Sequence, residues 1–285
     1  MSVEALRKQL DAAKPSPSIT LRHIAEIVVE RREPRWLLHR VLERGVLAVL
    51  AGARGTFKSF VSLDWSMRAA VAGHPVVILS GEGAGLDRRV DAWVRVHKPA
   101  VALAELPLLA LERPLRLTAN EDLPELVEVI DSGRSKPALI LVDTLSKFAG
   151  GLDENSNADV AQYLGDLATA LRDRFDSTVL LVAHAGHGDA KRPRGASALM
   201  ANPDAEYIVE RSSPTAMTIT VSRERFKDYA SLEPLAYTAE VIDLGRVDSH
   251  GERVTSLALH ATQALPVAPR INGRNLTAAA TALRE

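Results

Sequence analysis

GVLAVLAGARGTFKSF, residues 45–60, decides how the chain is read. Gly45 to Ala51 is a short apolar run, as a buried parallel strand would be. Gly52, Lys58 and Ser59 then fall at the spacing of a phosphate-binding loop, G-x-x-x-x-G-K-[ST]. Phe57 stands where that pattern has its second glycine. The segment beyond, KSFVSLDWSMRAAVAGH, places Phe60, Leu63, Met67, Ala70 and Val71 at helical spacing, with Gly73 as a stop. A strand, a loop and a helix start in this order aim backbone N–H groups and a helix dipole at a phosphate. An aromatic at position 57 can be accommodated if its ring turns into the core beside Phe60 or Trp65. The loop Gly52, Ala53, Arg54, Gly55, Thr56, Phe57, Lys58, Ser59 and Phe60 is therefore the expected nucleotide cradle.

Phosphoryl chemistry needs more than a cradle: a carboxylate near a metal, a base for water, and a group that senses the terminal phosphate. Three further apolar runs end in such residues. The run from Ala138 closes on Asp143, in the Walker B manner. The run from Pro75 leads into Ser80-Gly81-Glu82-Gly83, where flanking glycines allow a close, exposed turn. The run from Ser177 ends at His184. Four strands with polar residues at one edge match the ligand-binding edge of an open α/β sheet. Intervening segments read as helices. Residues 86–97 carry Leu86, Val90, Trp93 and His97 in register. NEDLPELVEVIDSG ends at Gly133. Residues 157–175 carry Val160, Leu164, Leu167, Leu171 and Phe175, with Ser156 or Asn157 as the cap. AEYIVER, AMTITVSRERF and LAYTAEVIDLG alternate as antiparallel edge strands do.

Composition narrows the class. At 285 residues the chain can hold one large α/β domain with appendages. No apolar run approaches the ~20 residues of a membrane span, and the first residues lack an apolar signal core, so a cytoplasmic protein is expected. The absence of cysteine removes thiolate chemistry and most structural zinc sites, and His184 with His187 lacks a third ligand at metal spacing. A formal net charge of −1 excludes a surface basic all over, so nucleic acid would have to meet local basic loops.

Taken in order, these motifs resemble the RecA-like P-loop ATPases of the plasmid RepA type, hexameric replicative helicases with phage and prophage relatives. PRWLLHRVLERGVLAVLAGARGTFKSF resembles the family's entry strand and Walker A. LSGEG resembles its catalytic-glutamate strand, and LILVDTLSKFAGGLDENSNAD its Walker B with the polar loop beyond. LLVAHAGHGDAKRPRGASAL and VSRERFKD resemble its sensor strand, mobile loop and basic strand end. The resemblance covers roughly Pro34 to Gly245. It implies a mostly parallel twisted sheet flanked by helices, with antiparallel strands at the C-terminal edge. An N-terminal arm at 1–33, an ATPase domain at 34–245 and an extension at 246–285 are expected.

The resemblance also implies roles. Lys58 reaches the β- and γ-phosphates of ATP. Ser59 ligates Mg²⁺, with Asp143 behind it. Glu82 is the base and His184 the γ-phosphate sensor. A neighbouring subunit supplies an arginine finger, drawn from Arg223, Arg225 and Lys227, or else from Arg194. Single-stranded DNA is the expected partner of a ring hexamer, met by Lys191, Arg192 and Arg194 in a channel loop, with Lys147 and Phe148 as a second contact. The expected function is a DNA motor. The alternatives are a loader or recombination ATPase that does not unwind, and a weakly hydrolysing nucleotide switch.

Overall fold

The computed structural model describes residues 21–30, 33–133, 135–153, 156–184, 198–226 and 233–262. The chain divides into two units, Met1–Pro34 and Arg35–Glu285. In the first, helix α1 (Ile24–Glu30) is held along its length by Arg22, which pairs with Glu26 and Glu30. None of its residues is buried.

The second unit is organised on a nine-stranded sheet. A small hairpin, β1 (Trp36–Leu38) and β2 (Leu42–Glu43), precedes it. Strand β3 (Leu47–Gly52) leads to helix α2 (Lys58–Val71), and β4 (Val76–Ser80) leads to α3 (Leu86–His97). Then follow β5 (Leu108–Leu111), α4 (Asp122–Ser132), β6 (Leu139–Asp143) and the short α5 (Leu145–Phe148). Helix α6 (Asn157–Leu167) is capped by Ser156, whose hydroxyl accepts from the Asp159 N–H at 3.3 Å. A π-helical turn, Ala168–Asp173, continues it before β7 (Thr178–His184). The chain closes with α7 (Ala198–Ala201), β8 (Ala205–Arg211), β9 (Thr218–Phe226), β10 (Leu235–Val247) and β11 (Arg253–Ala261).

The strand order is β11-β10-β9-β8-β3-β7-β6-β4-β5. From β8 to β5 every pairing is parallel; from β8 outward to β11 every pairing is antiparallel. The central strands are buried on both faces, which is why they read as unbroken apolar runs. Their alternation still sorts them. Ala48 and Leu50 of β3, Leu139 and Leu141 of β6, and Leu180 and Val182 of β7 pack with α2 and α3. Their neighbours Val49, Ile140 and Leu181 pack with α4 and α6 on the other face.

Helix α2 is pinned by polar bonds as well as apolar packing. Asp64, fully buried, accepts from Trp93 Nε1 at 2.8 Å and Arg68 Nε at 2.8 Å. Trp65 Nε1 donates to the Tyr237 hydroxyl at 2.8 Å. A buried carboxylate without such donors would be strongly destabilising, so these bonds fix α2 against α3 and β10. Helix α2 begins at the phosphate loop, so its placement fixes that loop.

Candidate nucleotide site

Register brings the four predicted strand ends to one edge. Gly52 of β3 lies opposite His184 of β7, and Ser80 of β4 lies opposite Asp143 of β6. Gly52 has to be glycine: a Cβ there would run into the Val209 carbonyl and stand 2.9 Å from Thr56 Oγ1. Thr56, buried, ties the loop across itself by donating to the Ala53 carbonyl at 2.9 Å. Arg54 and Gly55 form the exposed tip.

Lys58 opens α2, and its side chain folds back into the loop. Nζ donates to the carbonyls of Gly52 at 2.9 Å and Ala53 at 2.7 Å. Burial lowers its pKa to about 8, against the opposing pull of Asp143 and Glu82. Beside it, the Ser59 hydroxyl donates to Asp143 Oδ1 at 3.1 Å. Burial pushes Asp143 up to about 6; the Ser59 bond opposes that shift, the charge of Glu82 adds to it, and Arg89 and Lys58 oppose it. A cation and an anion are thus both held out of water, each where a ligand of opposite sign would restore what burial removes.

The donor set suits a hydrated metal better than a caged one. Among the described residues no group of three His, Cys, Asp or Glu side chains is placed to cage an ion. A hydroxyl in contact with one buried carboxylate suits Mg²⁺, which keeps waters and takes further oxygens from phosphates.

Glu82 and His184 face each other across the same edge, with Oε1 and Nε2 3.7 Å apart. Their side chains remain 32% and 26% exposed, so this end of the crevice is open to water. Glu82 lies two residues beyond β4, in a turn where Gly83 takes φ +77°.

Phe57 answers the question its position raises. It sits at φ 64°, ψ 24°, in the left-handed region where glycine is normally placed. That geometry costs a side-chain-bearing residue about 1–2 kcal/mol. The ring is half-buried, edge-on to Phe60 with centroids 6.1 Å apart, so Phe60 is the neighbour it packs against. The guanidinium of Arg211 lies over its other side, 4.2 Å from the ring centroid.

Other predicted residues stand apart. Arg223 and Arg225 lie on β9 opposite Tyr207 and Glu206, set back from the edge that carries Lys58. Arg223 donates to the carbonyls of Arg40 and Glu233, and burial lowers its pKa; Arg225 donates to the Ala201 carbonyl at 2.8 Å. Lys147 is exposed on α5. Phe148 corrects the expectation of a DNA contact: it is fully buried and packs in the apolar cluster under α4 and α6, so its ring is not available to a base. His187, Lys191, Arg192, Arg194 and Lys227 lie outside the described residues.

Two arginines at the site escaped the sequence reading. Arg89 of α3 lies over the Phe60 ring at 5.3 Å and brings Nη1 to 4.0 Å from Asp143 Oδ2. Its helical position, one turn after the Glu82 turn, was the available signal. Arg211 had none, because it reaches the loop only through the pairing of β8 with β3.

The fold recurs in solved structures. The ATPase domain of a helicase aligns with a TM-score of 0.55 at 12% identity, covering 83% of this chain and 93% of that one. The RadB recombinase aligns with a TM-score of 0.48 at 17% identity, covering 68% of this chain and 87% of that one. No curated protein matches the sequence. Among the described residues no helix is long and apolar enough to cross a membrane. The sheet is that of a RecA-like P-loop ATPase, and residues 14–190 match the model of one AAA domain family, AAA_25, to which the chain belongs.

Proposed function

We propose that the protein is an ATP-hydrolysing DNA motor of the RepA type, working as a ring with its ATP sites between subunits. One observation supports the hydrolytic part above all. Lys58, Ser59 and Asp143 are in contact at one corner of the edge, and Glu82 with His184 lies along the same edge. A protein that only binds nucleotide has no use for the second pair.

In this reading the loop N–H groups hold the phosphates, and Lys58 leaves its own carbonyls to meet the β- and γ-oxygens. Mg²⁺, when bound, neutralises charge on those oxygens, with Ser59 and Asp143 as its protein side. Glu82 takes the proton of the attacking water. His184, one hydrogen-bond shift from Glu82, registers the terminal phosphate. It is also the last residue before the sequence AGHGDAKRPRG, whose Lys191, Arg192 and Arg194 would contact the backbone of single-stranded DNA without reading bases.

The test is steady-state ATP hydrolysis with and without single-stranded DNA, for the parental chain and Glu82→Gln. The expected result is DNA-stimulated turnover that falls by about 10²–10⁴ in the variant while nucleotide affinity is kept. Equal turnover in the two proteins removes Glu82 as the base. Turnover indifferent to DNA removes the motor and favours the switch.

A further inference from the structure

Arg211 is the last residue of β8, and every part of its guanidinium is engaged at the phosphate loop or beside it. Nη1 donates to the Gly55 carbonyl at 2.5 Å, Nη2 to Pro214 at 2.7 Å and Nε to Ala216 at 2.9 Å. Its face lies on the Phe57 ring. Glycine at position 57 would adopt the left-handed turn unaided; phenylalanine needs it imposed.

We propose that Arg211 is a positioning residue for the phosphate loop: seated on Phe57 and bonded to Gly55, it holds the left-handed turn through which the loop enters α2. The Phe57–Arg211 pair does together what a glycine does alone. The inference rests on the reading of residues 52–60 as a phosphate cradle. The mechanical argument is direct. The turn at Phe57 sets the direction of the first N–H groups of α2 and the start of the Lys58 side chain. Phe60 supports the ring from one side only. Without the cation on the other face and the bond to Gly55, the turn can relax toward ordinary backbone angles and the cradle opens. Lysine cannot substitute, because one ammonium cannot stack flat on a ring while donating in three fixed directions.

The probe is inorganic tripolyphosphate with Mg²⁺, which carries the phosphates and no base, its affinity measured by calorimetry. The proteins are the parental chain, Arg211→Ala, Phe57→Gly, the double variant, Arg211→Lys, Phe57→Leu and Lys58→Ala. Arg211→Ala is expected to weaken binding by about tenfold, the scale of one well-placed cation–π contact with its hydrogen bond. Phe57→Gly should bind as the parental chain does, and in its background the removal of Arg211 should cost less than about threefold. That non-additivity separates a positioning role from a merely structural one. Arg211→Lys should resemble Arg211→Ala. Phe57→Leu keeps a side chain on the strained turn but removes the ring, and should also lose affinity, which covers the case in which Arg211→Ala does not fold.

An Arg211→Ala protein that binds tripolyphosphate as tightly as the parent overturns the proposal. So does a loss of the same size with Phe57 or glycine at position 57. A loss seen with ATP but not with tripolyphosphate would place Arg211 on the nucleoside and overturn it too. If Lys58→Ala leaves tripolyphosphate binding intact, the cradle reading itself falls; if Lys58 matters and Arg211 does not, only the clamp falls.

Discussion

The two ends of strand β8 contrast. At its carboxyl end, Arg211 gives every donor direction to a carbonyl and its face to Phe57, beside the loop of its own subunit. At its amino end stands Glu206, 4% exposed, with one oxygen bonded to none of the described residues, while Arg225 and Arg223 follow along β9. Burial is the first cause that raises Glu206, to about 7; the charge of Glu224 adds and Arg225 opposes. The lesson is about where charge is used. One end is committed to the site at the sheet edge. The other carries cations set back from that edge by the register, so they cannot serve this subunit's own phosphates. Their bonds to backbone carbonyls orient them without neutralising them.

That contrast breaks most visibly if the second end also serves the same site. Arg223→Ala/Arg225→Ala should reduce hydrolysis by about 10³ or more, as loss of a finger does. Mixed with Lys58→Ala subunits, the assembly should recover part of the activity, because each partner supplies what the other lacks. Hydrolysis assayed across mixing ratios is the measurement, with exchange of subunits verified by a label. Lost activity that mixing does not restore would put the arginines in their own subunit's site and erase the distinction.

A smaller effect sharpens the first end. Lys58→Ala should weaken Mg–ATP binding by about 100-fold, since a buried ammonium facing phosphate is a charge-assisted contact. Fluorescent-nucleotide titration measures it. Unchanged affinity would mean that the Gly52 and Ala53 carbonyls, not phosphate, are the permanent partners of Nζ.

Much of this architecture was legible because burial writes itself into sequence. β3, β4, β6 and β7 are apolar on both faces, and each is closed by a glycine or polar residue at the edge. Helices α2, α3 and α6 carry apolar residues at helical spacing. The shape of Phe57's backbone was foreseeable from the motif, since its position calls for glycine. Two strands were not read. β5 is four residues at a sheet edge with its middle residues exposed, so it lacks the apolar run. β11 pairs with β10 across a short turn and belongs to the sheet, although its alternation is diluted by His260 and Ser256. Arg211 was illegible for a different reason. A lone arginine in VERSS carries no periodicity, and its meaning comes from a partner 156 residues away. Contacts of that kind are set by strand order, which no local pattern encodes.

The smallest expected effect concerns Glu206 alone. Its pKa in the folded chain is raised from 4.5 to about 7, so between those values the folded state holds a proton that the unfolded state has released. Stability therefore falls as pH rises from about 4.5 to 7, and the full penalty stands above 7. Glutamine fills the same space and carries no charge. Glu206→Gln should match the parental protein near pH 4.5 and exceed it by about 1–3 kcal/mol at pH 8, read by denaturant unfolding at both values. Arg225 gives the comparison its edge. If the Glu206 carboxylate is held by that cation, removing it leaves Arg225 without its counter-charge and the variant is less stable at pH 8. A gain at pH 8 means that the cations of β9 are not spent on Glu206, which leaves their charge for a neighbouring subunit. A loss means that they are, and the two ends of β8 are then alike.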